Sequence, residues 1–272
     1  MDRRPIRVVR LTAALFVACG MLALASAGQA EDVPPPSATG ANAPPSVDPR
    51  AVEMVKSMSA SLAAAKAFTV HAEIAYDEVM HSGRKLQFAA AADVTGRRPN
   101  GLAVEYLSDL GGKKLWYDGK TFTLLDLSKD VYATGAAPGT TSELLEQMET
   151  KQGISFPLAD FLSDDPAARL LADVRSGFVV GPGDVAGKEC THLAFSNDVL
   201  DWQIWIDAGK QPLPCKFVIT YRQQPGVPQF EAVFSDWEFP RSVSDKRFVA
   251  DLPKGAQAID FVAARNQPED KP

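Results

Sequence analysis

The sequence has few of the residues and motifs that mark catalytic or metal sites. It contains no HExxH, CxxC or GxSxG pattern, and its 3 histidines, His71, His81 and His192, stand singly. Zinc enzymes, dithiol oxidoreductases and serine hydrolases need such groups at fixed spacings. We therefore expect no catalytic residue, no metal site and no cofactor, and we predict that the protein is not an enzyme. An envelope hydrolase is the least favoured alternative.

Long apolar runs are also scarce. The single candidate lies at the N-terminus. Residues 1–10 carry four arginines, and residues 11–25 that follow contain no charge. Small residues come next and fit a signal-peptidase site, so the pattern predicts a signal peptide over residues 1–30. The run is too short for an ordinary membrane span, and we expect a periplasmic protein without stable membrane insertion. The alternatives are an uncleaved anchor and a lipoprotein anchored at Cys19.

Net positive charge is absent. The full chain carries a net charge of −6, and residues 1–30 contain 4 of the 28 basic and 1 of the 34 acidic residues. Cleavage after residue 30 would leave 242 residues with a net charge of −9. An acidic exported protein is poorly suited to binding phosphates, so we expect no nucleic acid partner. We also expect a monomer.

Only two cysteines, Cys190 and Cys215, lie outside the predicted signal peptide. Such a pair can form a disulfide in an oxidising compartment. Both lie on the outer strands of a predicted three-stranded meander, which places them about 10 Å apart, beyond the disulfide reach of about 7 Å. The predicted register also puts them on opposite faces. We therefore expect two free thiols, unless a β-bulge or another strand order intervenes.

The residues divide into segments by composition. Residues 31–47 are rich in proline, alanine and serine, which predicts a disordered leader. Residues 48–264 are predicted to form a single domain, and residues 265–272 a disordered tail. Asp48 and Pro49 make a good helix start, and apolar residues at helical spacing then predict a helix to residue 66.

Most of the domain alternates between apolar and polar residues with a period of two. The stretch 201–221 shows this best, and it predicts a hairpin. An Asp118-Gly119 turn predicts another, in which Leu115 would pair with Phe122. Short helices are predicted at residues 142–152, 158–162 and 167–173, and a last pair of strands near 247–250 and 256–262. About eleven strands without βαβ alternation indicate an α+β fold, a large antiparallel sheet with helices on one face.

Three segments resemble the periplasmic lipoprotein carriers. These are LWYDGKTFTLLDLSKDVYAT at 115–134, RFVADLPKGAQAIDF at 247–261, and the central CTHLAF and DWQIWIDAGKQPLPCKFVITY. The central stretch resembles most a family of predicted bacterial periplasmic proteins of unknown function, grouped with the LolA/LolB-like carriers. The resemblance implies a strongly curved half-barrel, with helices packed on its concave face, over the whole of residues 48–264.

The resemblance also implies that the concave face binds acyl chains. We predict an exported binding protein that holds a hydrophobic ligand, which is a lipid, an acyl chain or a lipidated protein. The alternative is a cell-envelope interaction or sensor module without a ligand, in which the helices simply fill the concavity. The candidate lining residues are Phe68, Val70, Leu86, Phe88, Leu115, Phe122, Leu193, Phe195, Trp202, Ile204, Ile206, Phe217 and Ile219.

Two further features are a basic residue that would hold the lid and an exposed aromatic ring. The carriers use a buried basic residue to hold the helical lid, but Arg84, Arg97 and Arg175 all look like solvated charges, so the sequence identifies no equivalent. Trp205 is the best candidate for an exposed aromatic ring that stacks on a ligand.

Overall fold

The computed structural model describes residues 46–154 and 156–261. The predicted signal peptide, Cys19, nearly all of the leader at 31–47 and the tail at 265–272 lie outside the described residues. The expectations for these segments therefore stay predictions.

Within the described residues, twelve strands form one open sheet. Their order is β12-β6-β5-β4-β3-β2-β1-β11-β10-β9-β8-β7, and every neighbouring pair is antiparallel except β12 with β6. The strands are β1 (Ala67–Val79), β2 (Lys85–Arg97), β3 (Leu102–Ser108), β4 (Gly111–Tyr117), β5 (Thr121–Asp126), β6 (Val131–Ala136), β7 (Ser176–Val185), β8 (Lys188–Ser196), β9 (Asp201–Asp207), β10 (Pro214–Thr220), β11 (Gln229–Glu238) and β12 (Gln257–Ala258).

Four α-helices accompany the sheet in the described residues: α1 (Pro49–Ala64), α2 (Thr141–Gln152), α3 (Ala159–Leu162) and α4 (Pro166–Leu171). Helix α1 begins where the sequence predicts, because the Asp48 carboxylate accepts the Arg50 backbone N–H. Helix α2 starts with a capping box between Thr140 and Glu143 and ends at Gly153, which has a φ of 65°.

All four helices pack on one face of the sheet, which we call the inner face. Val55, Met58 and Leu62 of α1 share a buried cluster with the inward side chains of β8–β10. Leu144 and Met148 of α2 share a second cluster with inward side chains of β1 and β3–β5. The predicted α+β class is therefore confirmed, with a large, open, curved antiparallel sheet and helices on a single face.

The Asp118-Gly119 turn is present, but the predicted register is wrong. Leu115 pairs with Leu124, and Tyr117 pairs with Phe122. The Asp118 carboxylate accepts the backbone N–H groups of Lys120 and Thr121, which widens the turn. The pairing moves by two residues, so Leu115 and Phe122 keep the inner face.

The C-terminal segment covers part of the outer face. Asp245–Phe248 is a 3₁₀ helix, so the strand predicted near 247–250 is wrong. Phe248 is buried, and the Arg97 guanidinium lies 4.5 Å from its ring centroid. The chain then passes the edge of the sheet as β12 beside β6, and Phe261 stacks at 4.9 Å on Phe122 of the inner face. The last segment thus closes one edge of the sheet.

Cys190 and Cys215 form a disulfide with a Cα–Cα distance of 6.9 Å, so the expectation of free thiols is wrong. The meander itself is correct, with β9 between β8 and β10. Cys190 pairs with Asp207, the last residue of β9, so little of the middle strand separates the two cysteines. A register shift at Cys215 breaks the alternation and brings it to the face of Cys190.

Replacing both cysteines by serine is expected to lower the free energy of unfolding by about 3 kcal/mol, because the crosslink closes a loop of 25 residues. Urea unfolding with and without reductant measures this. Reductant is expected to destabilise the wild-type protein by a similar amount and to leave the double variant unchanged. Equal stability of the oxidised wild type and the variant would contradict the prediction.

On the outer face, His71 lies between two carboxylates. Its Nδ1 is 2.8 Å from Asp93 Oδ1, and its Nε2 is 3.2 Å from Glu73 Oε1. These two hydrogen bonds, the one to Asp93 first, raise the pKa of His71. The protonated form is therefore favoured by folding.

The substitution His71→Gln is expected to cost more stability at pH 5.5 than at pH 8.5. A raised pKa gives a contribution that is fully present below the unfolded pKa of about 6.5 and is lost as the pH rises through the folded pKa. The pH-dependent part is expected to be about 0.2–1 kcal/mol on this partly solvated face. Urea unfolding at both pH values tests it, with the exposed His81→Gln as the control. An equal loss at both pH values would contradict the assignment.

Candidate functional site

A cavity of about 530 Å³ lies between the inner face and the helical segment that links β6 to β7. Its floor consists of inward side chains of the central strands: Ile74, Tyr76, Ala92, Val94, Leu102, Val104, Tyr106, Leu115 and Phe230. Its cover consists of side chains from α2, α3 and the linker between them: Leu145, Ile154, Phe156, Pro157, Leu158, Ala159 and Leu162. The floor and the cover are therefore mostly apolar, and the remaining lining residues are Asp77, Glu78, Lys113, Tyr221, Gln224, Pro228 and Gln229.

Strand alternation determines which residues reach the cavity. On β3, Leu102, Val104 and Tyr106 point inward, while Glu105 and Leu107 belong to the outer face. The left-handed Gly153 ends α2, and the chain from Ile154 then runs across the floor to α3. The space exists because this segment is short and covers the central strands only in part.

The cavity reaches the end of the sheet that carries the β1–β2, β3–β4, β5–β6, β8–β9 and β10–β11 connections, which we call the mouth end. The exposed lining residues Glu78, Gln224 and Gln229 lie there. Burial raises the pKa of Tyr106 to about 12, and the nearby Tyr76 hydroxyl and Glu78 carboxylate act in the same direction. The Tyr106 hydroxyl therefore stays protonated and available as a donor.

Two of the three charged lining residues at the mouth end, Asp77 and Lys113, are held in ion pairs. Asp77 lies 3.1 Å from Lys85 Nζ, and its carboxylate also accepts the Gln229 backbone N–H. Lys113 Nζ lies 3.4 Å from Asp126. The polar groups thus sit at the rim, and the interior of the cavity is apolar.

The thirteen predicted lining residues all lie on the inner face, but only Leu115 lines this cavity. A first group is buried near α2: Phe68, Val70 and Phe122. A second group is buried in the cluster beneath α1: Leu193, Phe195, Trp202, Ile204, Ile206, Phe217 and Ile219. Two residues lie toward the tip of the β1–β2 hairpin, where Phe88 is half-buried and Leu86 is exposed.

The sequence reasoning did not single out most of the residues that line this cavity. Ile74 and Tyr76 continue the alternation of β1, and Val104 and Tyr106 that of β3, so their face was predictable. Which part of the face the helices leave open was not predictable, because it depends on where α1 and the linker after α2 settle. Trp205 lies on the outer face, half-buried, with its ring stacked on His192 at 3.9 Å.

Arg98 holds the cover, and the sequence reasoning did not single it out. Its guanidinium donates to the Ser163 carbonyl at 2.9 Å and to Asp164 Oδ1 at 3.2 Å. Asp164 also accepts a hydrogen bond from Ser142 Oγ of α2. The Arg98 side chain is only 16 % exposed, and its Nε and Nη2 have no partner among the described residues. Burial lowers the pKa of Arg98.

The substitution Arg98→Met is expected to loosen the cover without unfolding the domain. Backbone amides of residues 159–171 should exchange with deuterium faster, because the tie between β2 and the α3–α4 junction is lost. The free energy of unfolding should change by less than about 1.5 kcal/mol, since the Asp164 carboxylate left behind is 56 % exposed and stays hydrated. Arg97→Met, which removes the ion pair with Asp245, is the control and should leave exchange at 159–171 unchanged. Equal exchange in both variants would contradict the role.

Several solved structures are similar to this chain at low identity. An uncharacterized conserved protein from Thermus thermophilus is 10 % identical, with a TM-score of 0.47, over 78 % of this chain and 99 % of that one. LprF from Mycobacterium bovis is 13 % identical, with a TM-score of 0.43, over 74 % and 98 %. A LolA superfamily protein from Nitrosomonas europaea is 12 % identical, with a TM-score of 0.36, over 74 % and 97 %. At such scores these likenesses carry no evidence about function.

No curated protein matches the chain. Among the described residues, no helix is both long enough and apolar enough to cross a membrane. The profile of one family, described as a predicted periplasmic protein, matches residues 51–262. Because this match spans most of the 272 residues, the chain belongs to the DUF2092 family of predicted periplasmic proteins, and its location is the periplasm.

Proposed function

We propose that this periplasmic protein is a non-enzymatic binding protein that holds a hydrophobic ligand in the cavity between the inner face and the cover. The ligand is a lipid, an acyl chain or the acyl chain of a lipidated protein. The apolar cavity of about 530 Å³ is the observation that carries this proposal.

The size and lining of the cavity fit such a ligand. Small-molecule pockets in proteins span roughly 300–1,000 Å³ and are mostly apolar with a few polar groups. Each methylene removed from water contributes about 0.8 kcal/mol, so ten of them would supply roughly 8 kcal/mol before the costs of association. Burial of an alkyl chain alone is therefore enough for useful affinity.

The cover suits entry and release. Helices α3 and α4 have only 4 and 6 residues, and Arg98 ties the junction between them to the end of β2. These short elements lie outside the hydrogen-bond ladders of the sheet, so they can shift without breaking strand pairing. A ligand can thus enter while the sheet keeps its form.

The substitution Val104→Trp is expected to fill the cavity and to weaken uptake of a pyrene-labelled monoacylglycerol at least 10-fold. Val104 is half-buried on the floor, so a larger side chain extends into the free space. Val180→Trp is the matched control, because Val180 lies within β7, does not line the cavity and is 50 % exposed. Pyrene fluorescence titrations measure the affinity, and thermal unfolding checks that both variants fold.

Extraction of the purified protein with organic solvent, followed by mass spectrometry, gives an independent readout. We expect lipid from the wild type and from Val180→Trp, and little from Val104→Trp. Absence of lipid together with no uptake of the probe by the wild type would contradict the proposal and favour an interaction module without a ligand.

A further inference from the structure

We infer that the mouth end of the sheet is a docking surface for a lipid bilayer, through apolar side chains on separate hairpin tips. The docking is peripheral and reversible. It goes beyond the proposed function, which concerns the cavity alone, and the two can fail independently.

Exposed apolar side chains gather at the mouth end. Ten large apolar residues are exposed in the described part of the chain, and six of these lie at or beside the tips of this end. They are Met80 and Leu86 at β1–β2, Leu107 and Leu110 at β3–β4, Val199 at β8–β9 and Val227 at β10–β11. In the described residues, the β2–β3, β4–β5, β7–β8 and β9–β10 connections at the opposite end contribute none.

The arrangement of these side chains favours a bilayer over a protein partner. They stand on four different connections, separated by polar residues such as Ser82, Asp109 and Gln223. A protein partner binds a contiguous apolar patch of matching shape. A bilayer is fluid, so separate apolar side chains can insert into its interface. Leu110 is the most exposed of the six at 60 %.

The charges at this end permit contact with a membrane. Arg84 and Lys85 lie at the β1–β2 tip and Arg222 in the β10–β11 connection, although the chain as a whole is acidic. A cation beside an exposed apolar side chain, as Arg84 is, adds a modest attraction to anionic lipid head groups. Lys85 and Arg222 are paired with Asp77 and Asp201, and Glu78, Asp109 and Asp198 also lie at this end, so the exposed apolar side chains supply most of the contact.

The position of the cavity also favours a bilayer as the partner of the mouth end. Glu78, Gln224 and Gln229 line the cavity at this end, next to the tips that carry Met80, Leu86 and Val227. A bilayer that contacts the tips therefore lies at the opening of the cavity. An acyl chain would then pass between membrane and cavity with little exposure to water.

Flotation with vesicles of phosphatidylethanolamine and phosphatidylglycerol tests this inference. The double variant Met80→Ser/Leu110→Ser is expected to reduce the bound fraction at least 5-fold. Val180→Ser/Val249→Ser is the matched control, because these residues are 50 % and 55 % exposed but lie within β7 and in the C-terminal segment. The control should stay within 2-fold of the wild type, and thermal unfolding checks the fold of both.

A second measurement tests whether the β3–β4 tip enters the lipid. Brominated lipids are expected to quench the added fluorescence of Leu110→Trp and not that of Val249→Trp. Absence of vesicle binding by the wild type, equal losses in the two double variants, or equal quenching at both positions would overturn the inference. Val104→Trp should still bind vesicles, so loss of docking with retained probe uptake refutes only this inference, and the reverse result refutes only the cavity proposal.

Discussion

The inner face of the sheet is larger than its helices can cover, and this mismatch determines the rest of the structure. Twelve strands about 4.8 Å apart span roughly 50 Å, whereas a helix of 16 residues is only about 24 Å long. Helix α1 therefore buries one part of the face and α2 another. Only the short segment around α3 covers the strands between them, and a cavity remains.

Arg98 shows how the incomplete cover is kept in place. Its bonds to Ser163 and Asp164 use part of its hydrogen-bonding capacity, and two buried nitrogens have no partner in the described part of the chain. A buried charge with unpaired hydrogen-bond donors adds little to stability. It does add specificity, because the guanidinium donates well only to acceptors in a suitable position. The arginine thus determines where the cover rests more than how firmly the domain folds.

The sequence predicted the fold well where one local signal decided the outcome. Helix α1 followed from Asp48 and Pro49, and the faces of the strands followed from alternation. Even the wrong register at Asp118 kept Leu115 on the correct face, because the error was two residues. The disulfide was missed because one bulged residue at Cys215 reverses a face, and such a bulge has no clear signature in the sequence. The candidate site was predicted only to the level of the face, since the contacts of α1 with β8–β10 join residues distant in sequence.

The position of α1 against β8–β10 affects the order in which the domain folds. A chain that crosses the inner membrane with its N-terminus first presents Val55, Met58 and Leu62 early, but their partners in β8–β10 emerge more than a hundred residues later. Contacts of such long sequence separation form late, and until then the apolar stripe of α1 is free. The same geometry that leaves room for a ligand therefore makes the docking of α1 on β8–β10 one of the last contacts to form when the domain folds.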